Sequence, residues 1–213
     1  MSAEAQQVNL GDVAPVVEPV SVRAFELKDK QAWNEYVRAH PEGSFFHLAE
    51  WQYVLKRAFG HPSHYLLAES GGRLRGVLPL AHVRSLLFGN ALVSTPFCVY
   101  GGIVASDAAA FQALETAACD LARRLNVDYL ELRNRARRHP EWPCKDLYVT
   151  FRKAIDPDAE KNMLAIPRKQ RAMVRKGIKE ELRAEVDETV DRHYDMYSES
   201  LRNLGTPVFG RTY

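Results

Sequence analysis

No stretch of this 213-residue chain approaches the roughly 18 consecutive apolar residues that a membrane-spanning helix needs. The best candidate, Val77 to Val83, contains Pro79 and His82. A secretory signal is lacking too. Met1 to Pro19 carries Glu4, Asp12 and Glu18, no Lys or Arg, and only scattered valines, so residues 1–19 read as a flexible leader. Cysteine is scarce: Cys98, Cys119 and Cys144 are odd in number, far apart and without CxxC spacing. They fit small buried hydrophobes in a reducing, cytoplasmic compartment better than disulfides or zinc ligands. Neither sign of charge prevails. With 29 Lys+Arg against 27 Asp+Glu, the net +2 gives no global reason to expect a polyanion.

Catalytic signatures are also missing. The seven histidines show no HExxH or other ligand spacing, so no metal site is expected. No GxSxG, Walker-type loop or GxGxxG occurs, and no cysteine stands in a nucleophile context. No residue can therefore be named as catalytic.

What is present is a globular composition, 46% hydrophobic and 26% charged, long enough for one ordinary domain and short for two. Val20–Phe25 alternates like a strand, and Asp29 can cap a helix carrying Trp33, Tyr36 and Val37 that stops before His40-Pro41. Leu48–Phe59 reads as a second helix ended by Gly60. A meander follows: His64–Glu69, a turn at Ser70–Arg73, a return strand Leu74–Val83, then Leu86–Val93 and Phe97–Val104. Ser106 or Asp107 caps the clearest helix, striped by Phe111, Leu114, Ala118, Leu121 and Leu125. Val127–Leu132 and Leu147–Arg152 are two further strands, separated by the polar, basic stretch Arg133–Lys145. The fold class is α/β (α+β), a mixed sheet with helices on both faces over residues 20–155.

Asp156-Pro157 marks a break before residues 156–213. There we expect a short helix at Ala159–Leu164, a basic helix at Pro167–Leu182, a strand at Arg183–Val186 and a helix from Asp187. That last helix carries an apolar stripe from Val190 to Leu204 that needs covering, by a sheet or by a second chain.

Three features can carry chemistry. From Pro167 to Lys179 there are six cations and no acid. At 100° per residue, Arg168, Arg171, Arg175 and Lys179 fall within about 80° of one another. Like charges at this spacing repel, so the cluster costs stability unless an anion sits against it. A solvated basic face is the plain alternative. Tyr100-Gly101-Gly102 combines a hydroxyl with two glycines that admit a close backbone approach, whether of a ligand or of the chain itself. Lys56, taken alone, is an ordinary surface lysine.

The order of these segments resembles the FemAB-like transferases of the GNAT superfamily, in the type associated with PEP-CTERM and exopolysaccharide systems. Ser44-Phe45-Phe46-His47 with Glu50-Trp51 and Lys56 is similar to their "FFQS…EW…K" helix, and Tyr65–Leu80 to the strand pair opening a GNAT sheet. Val99-Tyr100-Gly101-Gly102 resembles a strand-edge motif of the group. Pro167-Arg168-Lys169-Gln170-Arg171 with Val174-Arg175-Lys176 resembles its "K-x-R-x-x-I-R-K" helix. The resemblance covers about residues 20–209. It implies two GNAT-like units in tandem, and a chain continuing well over a hundred residues past Leu204. Residues 156–213 are then only the start of the second.

The activity implied is acyl or aminoacyl transfer onto a nucleotide-sugar or lipid-linked glycan or peptide precursor of peptidoglycan or exopolysaccharide. The donor is aminoacyl-tRNA or acyl-CoA, with no bound cofactor, and peripheral membrane association is compatible with a lipid-linked precursor. The resemblance assigns Lys56, Arg171 and Arg175 to the precursor's anion, with Tyr100, Gly101 and Gly102 lining the acceptor groove. One departure bears on the donor: Gly101–Ser106 lacks the R/Q-x-x-G-x-G/A pattern by which a GNAT domain holds coenzyme A. Alternatives are an acyl-CoA-dependent N-acyltransferase, a non-catalytic glycan-precursor binding module, and nucleic-acid binding through Arg168–Lys179. Low net charge and the lack of interleaved aromatics weigh against the last.

Overall fold

The computed structural model describes residues 18–85, 89–145, 147–181 and 183–213. The expected leader up to residue 17, residues 86–88 of the expected Leu86–Val93 strand, and Leu182 closing the expected basic helix lie outside them. The chain divides into two compact units. One ends at Arg138 and takes in Thr212 and Tyr213; the other is His139–Arg211. The boundary expected at 155/156 falls inside the second.

The first unit is a mixed α/β fold. Its elements are β1 (Ser21–Ala24), α1 (Lys30–Ala39), α2 (Trp51–Phe59), β2 (Leu66–Ser70), β3 (Arg73–Leu78), β4 (Leu80–Ser85), β5 (Gly89–Ser94), β6 (Val104–Ala105), α3 (Ala108–Arg124) and β7 (Tyr129–Glu131). One antiparallel sheet has the order β1-β2-β3-β6; the other, β4-β5-β7, is mixed, with β5 and β7 parallel. Gly71 and Gly72, both at positive φ, turn β2 into β3.

Alternation along the strands decides which helix meets which face. Leu66, Ala68 and Leu78 join Leu114, Ala118 and Leu121 of α3. Tyr65, Leu67 and Val77, pointing the other way, join Trp33 and Val37 of α1. Helices on both faces follow from that pattern. The single strand expected at Leu74–Val83 is two, because buried Pro79 has no N–H to give a ladder. Instead its carbonyl accepts from Thr95 N (3.0 Å), and β4 passes to the second sheet. The strand expected over Phe97–Val104 shrinks to Val104–Ala105; residues 95–103 leave the ladder altogether.

Asp107 caps α3, accepting from Ala110 N at 2.8 Å. Asp29 does not cap α1. Its carboxylate is buried and takes Arg23 bidentately (2.6 and 2.8 Å) together with Glu26 N (2.8 Å). Arg23 also reaches Glu69 of β2, so one guanidinium ties β1, β2 and the entry to α1.

The second unit contains α4 (Ala159–Leu164), α5 (Arg168–Lys179) and α6 (Asp191–Asn203). None of the three has a buried residue. The strands expected at Leu147–Arg152 and Arg183–Val186 do not form. Apolar residues favour a strand, but a strand also needs an adjacent edge for its N–H and C=O groups. Leu147, Tyr148, Val149 and Phe151 are instead exposed. The last helix begins at Asp191, not Asp187, and its stripe is open, with Val190 62% and Leu204 73% exposed. Among the described residues no helix is long and apolar enough to cross a membrane.

Arg23 holds the Asp29 carboxyl down to about 2 from an ordinary 3.8. The stability this provides is present above pH 3.8 and is lost as pH falls towards 2. Arg23→Ala should cost roughly 2 kcal/mol at pH 7, because a buried carboxylate is left unpaired. Urea midpoints at pH 7 and pH 3 check this; a wild-type midpoint at pH 7 would remove the assigned role.

Candidate functional site

Residues 95–103, which leave the ladder between β5 and β6, build one wall of a narrow cleft. The segment after β7 builds the other. Gly102 N donates to Arg133 O (3.1 Å), Ile103 N to Asn134 Oδ1 (3.0 Å), and Arg133 N to Ser94 Oγ (2.7 Å). A Cβ on Gly101 would stand 2.5 Å from Thr95 Cβ, and one on Gly102 would stand 2.7 Å from Asn134 Cα. The close approach that these glycines allow is therefore to the chain itself. A side chain at either position would meet Thr95 or Asn134, and Gly102 itself lines the cleft.

The cleft measures about 20 Å³ and is lined by Glu42, His47, Tyr100, Phe111, Arg135 and Arg138 among others. Tyr100 is half-buried, with the Arg135 guanidinium 5.1 Å above its ring.

His47 forms the floor and is 2% exposed. Its Nε2 lies 3.1 Å from Gly102 O, which can only accept, so Nε2 carries the proton. Nδ1 is then free to accept from the Ser44 hydroxyl at 2.7 Å. Burial pushes the imidazole down to about 4, so it is neutral at pH 7. Cys98, buried within the 95–103 segment, is pushed up to about 12 by burial and is no nucleophile at neutral pH.

Lys56 does not join this cleft. It stands exposed on α2 beside a separate, open hollow of about 390 Å³, with Gln52, Gly60, Pro62 and Ser63. Ser63 Oγ is buried there without a partner.

Arg171 and Arg175 lie in the second unit, on α5. Pro167 stands one position before the helix, its carbonyl accepting from Arg171 N (2.9 Å). None of the six cations, Arg168, Lys169, Arg171, Arg175, Lys176 and Lys179, has an ion pair among the described residues. Arg171 is half-buried and its Nε has no partner. Three of the four arginines of this unit that follow α5 behave differently; Arg183, like the α5 cations, has no ion pair among the described residues. Arg192 pairs with Asp187 and Glu185, Arg202 with Glu199, and Arg211 with Asp191 and Asp195.

Sequence reasoning passed over His47, Asn134, Arg135 and Arg138. The signal for the last two was in view: four arginines within residues 133–138. Nothing in the sequence placed that run against Tyr100. No group of three or more His, Cys, Asp or Glu able to hold a metal occurs among the described residues.

No protein-family model matches the chain, and no curated protein matches it in sequence. Among solved structures, a transcriptional regulator from Bacillus halodurans C-125 is similar at 12% identity and TM-score 0.41, over 64% of this chain and 99% of that one. A ribosomal-protein-alanine N-acetyltransferase from Brucella melitensis biovar Abortus 2308 is similar at 18% identity and TM-score 0.41, with the same coverage. A GNAT family acetyltransferase of Staphylococcus aureus subsp. aureus USA300_TCH1516 gives 14%, 0.38, 66% and 98%. Likenesses of this size assign neither family nor activity.

Because His47 is held near 4 when folded and titrates at 6.5 otherwise, the unfolded chain binds the extra proton between those values. Stability should fall by about 3 kcal/mol as pH drops from 6.5 to 4. His47→Gln, which cannot titrate, should flatten that dependence in urea titrations; an unchanged slope would clear His47 of it. Gly102→Ala should cost at least about 2 kcal/mol by forcing the 102/134 seam apart, read as a lower thermal midpoint.

Proposed function

We propose that this chain is, or is part of, a FemAB-like acyl- or aminoacyltransferase acting on a nucleotide- or lipid-linked cell-wall or exopolysaccharide precursor. In this reading α5 holds the precursor's diphosphate. The observation that carries it is the unpaired charge of α5. Six cations and no acid share one helix, no acid stands in its first turn, and the Arg171 guanidinium is half-buried with an unused donor. Cations at a helix N-terminus oppose the helix dipole and repel one another; an anionic ligand reverses both terms. Arginine's fork fits phosphate oxygens in pairs. Lys56, beside its own hollow, is a second anion contact in the same reading, and Tyr100 borders the acceptor side.

The chemistry needs no protein nucleophile. An amine nitrogen attacks the activated carbonyl carbon, the C–N bond forms, and the ester or thioester bond breaks as the leaving group takes a proton. Positioning and charge stabilisation at the carbonyl oxygen supply most of the acceleration. The donor is aminoacyl-tRNA or acyl-CoA; what weighs against acyl-CoA in the first unit is the N-terminus of α3. The place where a pyrophosphate would meet backbone N–H groups is taken by the Asp107 carboxylate, itself held by Arg75 (2.6 Å).

Arg171→Ala and Arg175→Ala should each weaken binding of a UDP-sugar about tenfold in calorimetric titration, as for loss of one charge-assisted hydrogen bond. Lys161→Ala, an exposed lysine of α4 3.8 Å from Asp156, should not. Equal affinity in all three variants would discard the α5 site.

A further inference from the structure

The first unit holds a second concentration of positive charge, independent of α5. Residues 133–138 read Arg-Asn-Arg-Ala-Arg-Arg and line the cleft beside Tyr100. Arg133 is engaged, with Glu131 at 2.8 Å and the Cys98 carbonyl. Arg135 has no ion pair among the described residues, and Arg138 has only a long one, to Glu42 at 3.9 Å.

Arg135 lies over the Tyr100 ring at 5.1 Å, and Arg138 over the Phe111 ring at 4.9 Å. Stacking of this kind fixes the guanidinium plane and leaves its N–H edges for other partners. Arg135 donates to Pro41 O (3.2 Å) and Gly43 O (3.3 Å). Both acceptors are uncharged, so its charge persists and three of its five N–H groups remain open. Arg138 makes no hydrogen bond among the described residues; the nearest carboxylate oxygen, Glu42 Oε1, stands 3.9 Å from Nη2, beyond hydrogen-bond reach. Asn134 uses its oxygen on Ile103 N, and its amide Nδ2 has no acceptor among the described residues.

The walls thus offer many donors around a small, open-sided space of about 20 Å³, where one compact anionic group can seat its oxygens against the donors while the rest of its molecule stays outside. We infer that this cleft is a phosphate-binding site, in which Arg135 and Arg138 clamp one phosphate group and Asn134 adds an amide donor. Glu42, the one acid on its rim, stands beside Arg138 and is displaced or outcompeted by the incoming anion. A phosphate of this kind can come from a free nucleotide or from an RNA backbone.

The test measures both sources in the Arg171→Ala/Arg175→Ala background, so that the outcome does not depend on the α5 site. Probes are a UDP-sugar, by calorimetry, and a fluorescein-labelled RNA hairpin, by anisotropy at 50 and 200 mM salt. Arg135→Ala/Arg138→Ala should weaken one probe about tenfold or more, against a control, Arg84→Ala, at the exposed end of β4. If the probe is RNA, the slope of log affinity against log salt should also fall by about 1.5, two contacts' worth. Because Arg135 also braces Pro41 and Gly43, Arg138→Ala alone, with an unchanged melting temperature, must show the loss as well. Glu42→Gln should tighten the same probe several-fold. Loss confined to the UDP-sugar assigns a nucleotide phosphate, and loss confined to the hairpin assigns the RNA backbone. No loss for either probe relative to Arg84→Ala, or a Glu42→Gln variant that binds more weakly, overturns the site.

Discussion

The first unit depends on an uncharged imidazole. His47 must donate through Nε2 to Gly102 O and accept through Nδ1 from Ser44, and only the neutral ring can do both. Its own carbonyl takes the Trp33 indole N–H at 2.7 Å, and Trp33 stacks on Tyr65 of the sheet with ring centroids 5.1 Å apart. One buried residue therefore joins α1, the turn before α2, and the 95–103 segment. Protonating it would reverse the hydrogen bond to the Ser44 hydroxyl and leave a buried cation with only uncharged partners. Burial makes that protonation unfavourable at neutral pH, and so the joint holds.

The 95–103 segment shows what that joint restrains. Thr95 and Phe97 both have positive φ, an uncommon choice for a β-branched and a bulky residue. Such conformations persist only where surrounding contacts over-determine them. Thr95 is fully buried, donates to Phe46 O (3.2 Å) and sits against Gly101; Phe97 stacks on Phe59 at 4.2 Å. The two glycines following Tyr100 admit the opposing chain, and so bring Asn134 and Arg135 within reach of the Tyr100 ring. Their contribution to a site is indirect: they let the arginine segment close on it.

Much of the fold was legible because its signals are local. The α3 stripe with Asp107 before it, the α1 stop ahead of Pro41 and the glycine turn between β2 and β3 each need only a few neighbouring residues. What misled was the dependence of strands on partners. Leu147–Arg152 reads like a strand yet has no edge to pair with, while Leu74–Val83 reads as one strand although Pro79 interrupts its ladder. Asp29 looked like a cap, but Arg23, itself held by Glu69 40 positions beyond Asp29, claims its carboxylate. The site was less legible than the fold for the same reason. Tyr100 and the arginine run are each visible in the sequence, but their meeting depends on a nine-residue excursion and a parallel strand pair, and neither has a local signature.

The distribution of charge in the second unit bears on function more than its total does. After α5, Arg192, Arg202 and Arg211 each have carboxylates within 4 Å. A chain under no other constraint would place acids among the cations of α5 in the same manner, since i,i+4 pairs of opposite sign stabilise a helix and like pairs do the reverse by a few tenths of a kcal/mol each. Glu180 and Glu181 lie just past the helix end, too late in the sequence to stand beside Arg168 or Arg171, about two and a half to three and a half turns earlier. The cost of leaving α5 unneutralised is small enough to bear in a folded protein but is returned only when an anion arrives. Arg135 in the first unit follows the same pattern on a smaller scale, held by the Tyr100 ring and two neutral carbonyls, while Arg138 lies over the Phe111 ring with Glu42 3.9 Å away. Arg135 and Arg138 are oriented over rings, whereas the α5 cations have neither ring nor ion pair among the described residues; what the two places share is positive charge left largely uncancelled, the feature on which the proposed anion sites rest.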